Sequence, residues 1–333
     1  MSNILSQQHA TLHGLLVVDK PGLSAHAAPP PPAALREERP PTSHDVVQMV
    51  RRWSRERRIG HTGTLDPLAS GVLVLCLGHA TRLVEYYQGH DKQYYAEIVL
   101  GTATDTYDAL GQVTATKPVP LLDRTQIENV LHDFLGSVLQ SPPIYSALKQ
   151  GGESVHRKAR RGETVILPPR PVTFYQLDLL AFHAPNRLCL RLVCSAGTYV
   201  RSLAHDLGQA LGTVGHLALL RREAAGPFTL EDAHTLPAIE AAAQQNRLHE
   251  LLLPPGHGLG LPRLTVSSDV ARRLGFGQKV VLDEQAVETL AAGDELAQAY
   301  DEHGHFLGIA RSLGQADGGG TVWKAEKWLA QDG

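Results

Sequence analysis

Cysteine is nearly absent from this chain. Cys76, Cys189 and Cys194 are the only three in 333 residues. They form no C-x-x-C pair and cannot build a disulfide framework, so a stapled secreted scaffold is excluded and a reducing cytoplasm is the expected compartment. Aromatic residues are also scarce, with 3 Trp, 9 Tyr and 6 Phe. Any tyrosine in an unusual place therefore carries weight. No apolar run approaches the roughly 18 residues of a membrane span. The opening MSNILSQQHATLH lacks the basic-then-apolar order of a secretory signal. Several chemistries are missing as well. There is no G-x-x-x-x-G-K-[ST] phosphate loop, no G-x-S-x-G elbow and no H-E-x-x-H pair among the 17 histidines. Gly256, Gly258 and Gly260 follow no long strand, so they are no dinucleotide fingerprint. Neither a metal nor a cofactor is expected.

What is present is a chain long enough for about two domains, at roughly 150 residues each. The formal net charge is −3, but the charge is unevenly spread. From residue 262 onward, 7 Lys and Arg stand against 11 Asp and Glu; the rest is nearly neutral, at 24 against 23. Two compact basic segments interrupt that neutral body. RRWSRERR at 51–58 includes Arg51 and Arg52, and the 149–170 stretch carries Lys149, Arg157, Lys158, Arg160, Arg161 and Arg170. Such segments fit a local polyanion footprint. On charge alone a solvated helix face is the favoured reading, because such runs are common on exposed helices.

Patterning divides the chain. GLLVVD at 14–19 reads as a buried strand running into the Lys20-Pro21-Gly22 turn. Residues 24–41 hold six prolines and read as an exposed loop. Thr42 and Asp45 then start a helix carrying Val46, Val47, Val50 and Trp53 on one face. VLVLCL at 72–77 and Gln93–Leu100 are strands, and a short helical piece at 80–88 lies between them. A capping box of Thr125 and Glu128 predicts a helix over 125–135. RLCLRLVC at 187–194 predicts a strand, and Val200, Leu203, Ala204, Leu207 and Leu211 a helix. PPGHGLGLP at 254–262 reads as a linker to a small, mostly β appendage with strands at 264–266, 279–282 and 306–310 and a capped helix near 268–274. Strands and helices mix without a βαβ rhythm, so the body is expected to be α+β. The domains predicted are 1–253, with the 24–41 insertion and a basic 141–173 segment, and 262–333.

One carboxylate stands out. Asp66 lies in GHTGTLDPLASG, with glycines at 60, 63 and 71 and Pro67 restraining its backbone to an extended form. Asp-Pro is also a common helix start, with the aspartate as cap.

At this point the residues carry a family resemblance. GLLVVDKPG, TSHDVVQMVRR, RIGHTGTLDPLASGVLVLCLGHATRL and DKQYYAEIVLGTATDTYDALGQV resemble the TruB family of tRNA pseudouridine synthases. So do SPPIYSALKQGGESVHRKARRG, CSAGTYVRSLAHDLG and GTVGHLALLRREAAGPF. The tail resembles a small PUA RNA-binding domain more weakly. The Pro-rich 24–41 stretch departs from the family, which passes almost directly from K-P-x-G to T-S-H-D.

The resemblance implies a pseudouridine synthase fold with a mixed, largely antiparallel sheet and a central cleft. It implies isomerisation of the uridine at position 55 in the T-loop of tRNA. Asp66 is then the nucleophile, Arg201 its partner, and Tyr94 a ring that stacks on the uracil and shares in proton transfer. Tyr199 lines the pocket, Leu220 closes over the base, and His61 helps occupy the site the nucleotide leaves. Lys20 supports the site or touches a phosphate. Arg51, Arg52, Arg157, Lys158, Arg160 and Arg161 meet the RNA backbone. A cofactor is not needed, and the partner is the tRNA T-arm, with no membrane and no obligate protein partner; a monomer is expected. Two other readings fit the sequence: a non-catalytic RNA chaperone or binding protein on this fold, and a synthase with another RNA target. The trio Asp66, Tyr94 and Arg201 argues against the first, because a binder has no need of it.

Overall fold

The structure is a computed structural model that describes residues 12–23, 39–143, 145, 149–150, 153–154, 161, 167–283, 286–288 and 295–329. Most of the Pro-rich stretch, and Arg157, Lys158 and Arg160, lie outside the described residues.

The body is built on a ten-stranded sheet. Its first elements are β1 (Gly14–Lys20), α1 (Ser43–Ser54), β2 (Ile59–His61), β3 (Ser70–Leu77), α2 (Val84–Gln88) and β4 (Lys92–Leu100). A hairpin of β5 (Thr102–Thr104) and β6 (Val113–Thr116) precedes α3 (Arg124–Asp133) and β7 (Gly136–Gln140). The short pair β8 (Lys149–Gln150) and β9 (Glu153–Ser154) leads to the long strands β10 (Arg170–His183) and β11 (Arg187–Cys194). Then come α4 (Val200–Ala210), β12 (Gly215–Ala225), β13 (Phe228–Thr229), β14 (His234–Thr235) and α5 (Leu236–Gln244). The main path of the sheet runs β14-β1-β3-β12-β4-β11-β10-β7. Only β1 with β14 and β3 with β12 pair in parallel; the other neighbours are antiparallel. The α+β class with a mixed, largely antiparallel sheet is the one expected.

Apolar faces decide the layering. Val46, Val47 and Val50 of α1, Ile127 and Leu131 of α3, Val200, Leu203 and Leu207 of α4, and Ile239 of α5 share one core with Leu16, Leu73, Leu75, Ala96, Ile98 and Leu190. These four helices therefore cover the same face of the sheet. Thr42 caps α1 through the box with Asp45, as its sequence predicts. The box on α3 sits two residues earlier than expected. Asp123 accepts from the Gln126 amide, and Gln126 reaches back to the Asp123 amide. An aspartate caps better than a threonine, and Arg124 instead pairs with Glu128.

At the centre, Gly71 crosses β12 at Arg222. Its φ is 101°, and a Cβ there would lie 2.2 Å from the Arg222 carbonyl oxygen. Only glycine lets β3 begin at this point.

The appendage is a six-stranded sheet: β15 (Arg263–Val266), β16 (Val280–Leu282), β17 (Val287–Glu288), β18 (Leu296–Asp301), β19 (Phe306–Gln315) and β20 (Thr321–Trp328), with α6 (Ser268–Gly275) beside it. Three of its strands, β17, β18 and β20, were not expected. The segment 254–262 is no free tether. The Tyr87 hydroxyl donates to the carbonyls of Pro255 and His257, Leu259 is buried, and Gly256 lies against the Phe306 ring. A second core joins the two sheets: Leu15, Val17, Val72, Val74, Tyr87 and Phe228 pack with Ile309 and Leu329. Among the described residues no helix is long and apolar enough to cross a membrane.

Candidate active site

The cleft opens on the helix-covered face, where β4 and β12 meet the start of α4. A cavity of about 250 Å³ lies there, lined by Asp66, Tyr94, Tyr199, Arg201, Leu220 and Arg222, and by residues 62–65 and Lys92. Asp66 stands in a turn before β3, closed by the Ala69 amide donating to the Asp66 carbonyl. No helix begins at Asp66, so the helix-cap reading fails.

The Asp66 carboxylate meets Arg201 in a two-point fork. Nε donates to Oδ2 and Nη2 to Oδ1, both at 2.8 Å. Arg201 is 4% exposed and Asp66 27%. Two of the three remaining donors of Arg201 are committed too: one on Nη1 to the Thr106 carbonyl and one on Nη2 to the Tyr145 carbonyl. The guanidinium is thus fixed, and it fixes the carboxylate with one face open to the cavity. Tyr94 is buried beside them, and burial pushes its hydroxyl above the ordinary tyrosine range, so it keeps its proton at neutral pH. Leu220 lies in the same wall, on β12 next to β4. A carboxylate held by a guanidinium fork, a neutral phenol and an apolar wall around one small cavity suit covalent work on a flat ring.

Residues 51–200 match the family model described as TruB family pseudouridylate synthase (N terminal domain). Residues 201–259 match the tRNA pseudouridylate synthase B C-terminal domain, and 262–318 match Pseudouridine synthase II TruB, C-terminal. The tRNA pseudouridine synthase B of Xanthomonas campestris pv. campestris (strain B100) is 42% identical over 272 residues, 81% of this chain and 82% of that one. Its counterpart from Caldanaerobacter subterraneus subsp. tengcongensis is 38% identical over 82% of this chain and 92% of that protein. The chain belongs to the TruB family. Its fold also resembles a chain in the crystal structure of a Cbf5-Nop10-Gar1 complex, with a TM-score of 0.70 at 24% identity over 96% of this chain and 85% of that one.

The structure brings five of the family-implied residues to the cavity: Asp66, Tyr94, Tyr199, Arg201 and Leu220. Two others lie elsewhere. His61 belongs to β2, paired with Leu75, and does not line the cavity. Burial and the nearby Arg222 lower its pKa, so it is neutral at pH 7. Lys20 touches no open surface where a phosphate could bind. It is fully buried, and its ammonium donates to the carbonyls of Pro21, Pro67 and Ala69, which ties the β1 end to the Asp66 turn. Arg51 and Arg52 end α1 away from the cavity; Arg51 bonds Gln48 and the Arg57 carbonyl, and Arg52 is exposed. Arg161 is exposed.

Sequence reasoning missed the supporting groups. Ser43 Oγ accepts from the Leu65 amide at 2.8 Å and donates to the Leu65 carbonyl at 2.9 Å, holding the residue before Asp66 at both ends. Asp108 lies 3.6 Å from Arg201 Nη1 on the side away from Asp66's fork. Its carboxyl is raised by burial, against the pull of Arg201. Gln140 bonds both the amide and the carbonyl of Tyr199, which fixes the start of α4. Arg222, 2% exposed, reaches the Val72 and Gly63 carbonyls and lies opposite Tyr94 in the β12–β4 register.

Proposed function

We propose that this chain isomerises uridine to pseudouridine at position 55 in the T-loop of tRNA, with Asp66 as covalent catalyst. The observation that carries this reading is the Arg201–Asp66 fork set in a small cavity beside buried Tyr94, in a chain of the TruB family. The named relatives are tRNA pseudouridine synthases, which supports tRNA as the substrate.

The target base leaves its stack and enters the cavity, at a cost of a few kcal/mol that contacts to the RNA backbone offset. An Asp66 oxygen bonds to C6 of the base or C1′ of the sugar. The C1′–N1 bond breaks, the base turns, and a C1′–C5 bond forms. The C5 proton is lost, N1 gains one, and the carboxylate is released unchanged. No electrons are gained or lost, so the step needs no redox partner. Tyr94 offers a ring face for stacking, and Leu220 closes the pocket on the apolar side.

Arg51, Arg52, Arg157, Lys158, Arg160 and Arg161 are assigned to phosphate contacts outside the cavity. Residues 1–253 are assigned to catalysis and 262–333 to a PUA-like RNA contact. The chain acts as a monomer without an obligate protein partner, in the cytoplasm.

One assay tests the core of this reading: pseudouridine formation on a T-arm hairpin by wild type and Asp66→Asn, with RNA affinity measured alongside. The amide keeps the size but cannot form the covalent bond, so turnover should vanish while binding persists. Isomerisation by the Asn variant above a trace would remove Asp66 from the role. A wild type that binds but never isomerises would make the chain an RNA binder.

A further inference from the structure

Two cations at the cavity form no ion pair among the described residues. Lys92 opens β4, and Arg222 lies on the adjacent β12, opposite Tyr94. Both are buried, and both line the cavity. Among the described residues Arg222 donates only to uncharged oxygens, the Val72 carbonyl at 2.7 Å and the Gly63 carbonyl at 3.1 Å. Lys92 donates to the Gln88 and His90 carbonyls. Among the described residues neither forms an ion pair, whereas Arg201 beside them has Asp66 and Asp108. The cations lining the cavity are thus Lys92, Arg201 and Arg222, against one lining carboxylate, Asp66.

Gly63 lies over both heads. A Cβ there would lie 3.7 Å from Arg222 Nη1 and 3.9 Å from Lys92 Cε, so no side chain of residue 63 screens them. Burying like charges together is unfavourable unless something of opposite sign arrives. We propose that Lys92 and Arg222 form an anion-binding wall that takes a phosphodiester group flanking the nucleotide held at Asp66. The proposal rests on the RNA-modifying reading, because phosphate is the anion an RNA brings. Burial first, and then the Arg222 charge, lower the Lys92 ammonium to a pKa of about 8. A bound phosphate would reverse that pressure.

The test uses the full chain and a T-arm hairpin, with affinity measured across a KCl series. Lys92→Met should lower the log–log salt slope by about 0.7, the value for one single-strand phosphate contact, and Lys92→Arg should restore it. A hairpin carrying a neutral methylphosphonate at one flanking phosphate should show the same loss with wild type. Lys92→Met should add nothing on that RNA. An unchanged slope in folded Lys92→Met, or losses that add in full, would overturn the proposal. If Lys92→Met does not fold, wild type and Lys92→Arg decide on two hairpins, one with the methylphosphonate 5′ and one with it 3′ of the target nucleotide, and an unchanged slope on both overturns it. Isomerisation of the unmodified hairpin by wild type is scored in parallel. Its absence sinks the functional reading alone, while the salt slopes still report on the anion wall.

Discussion

Lys20 ends β1 with no exposed surface, and two of its three carbonyl partners, Pro67 and Ala69, lie in the Asp66 turn. Its work is structural, through the backbone of residues 67–69, while the carboxylate itself is held by Arg201. Lys20→Met keeps the apolar stem and removes the donors. Hydrogen bonds to a charged group contribute about 1.5–3 kcal/mol, so the variant should lose stability of that order. The pH dependence has a definite sign. Burial lowers the folded pKa of Lys20 to about 8, below the ordinary lysine value. Between the two, the unfolded chain binds the extra proton, so wild-type stability rises with pH in that window, by at most about 1.4 kcal/mol per unit. Below pH 8 both states are charged and the contribution is flat. Urea unfolding of wild type and Lys20→Met from pH 7 to 10 should show a constant gap that widens above 8. A gap that narrows there would mean the ammonium is not buried as described.

Elements position the site through side chains that bond distant backbone. Ser43 is the first residue of α1, yet its hydroxyl serves Leu65, 22 positions on. The helix start and the catalytic turn are therefore one unit. Ser43→Ala leaves a buried amide and a buried carbonyl without partners, which costs roughly 1–3 kcal/mol. The turn loosens next to Asp66, so kcat should fall more than KM changes. A Ser43→Ala enzyme with full kcat and lowered thermal stability would confine the serine to folding. These ties mark the limit of what the sequence revealed. α1, β1, β3, β4 and α4 were legible because apolar spacing and capping residues are local signals. Asp66 and Arg201 were legible only through the family's motifs; in isolation one is a helix cap and the other a surface charge. Ser43, Asp108, Gln140 and Arg222 act on partners 22 to 159 residues away. No local pattern records such contacts. β18 hides because its buried positions are Ala297 and Ala299, whose small side chains barely register as an apolar face. In β20 the alternation of Trp323 and Ala325 with Lys324 and Glu326 is a usable signal.

At the scale of the molecule, the acidic tail and the catalytic sheet are joined by shared apolar packing. Composition suggested a tether at 254–262, because glycine and proline look the same whether a segment swings or is strapped down. The strap is shown by its contacts: Leu253 bridges back to Leu15, Tyr87 holds Pro255 and His257, and Arg82 reaches the Trp328 carbonyl. Ile309 is fully buried in the core that also contains Val17, Val74 and Phe228 of the body. Removing residues 254–333 would uncover that face of β1 and β3. Each large side chain exposed loses about 1.5–3 kcal/mol of burial, and several are exposed at once. The truncate should bind a hydrophobic dye, melt at lower temperature and associate, even though the cavity around Asp66 lies on the opposite face of the sheet. A milder variant separates the two roles. Ile309→Ala should cost about 2–5 kcal/mol in unfolding experiments while leaving the single-turnover rate at saturating RNA near wild type, because the Asp66 fork is not touched. A truncate that stays monomeric and as stable as the full chain would show that the second core contributes little and that the tail is, after all, an independent appendage.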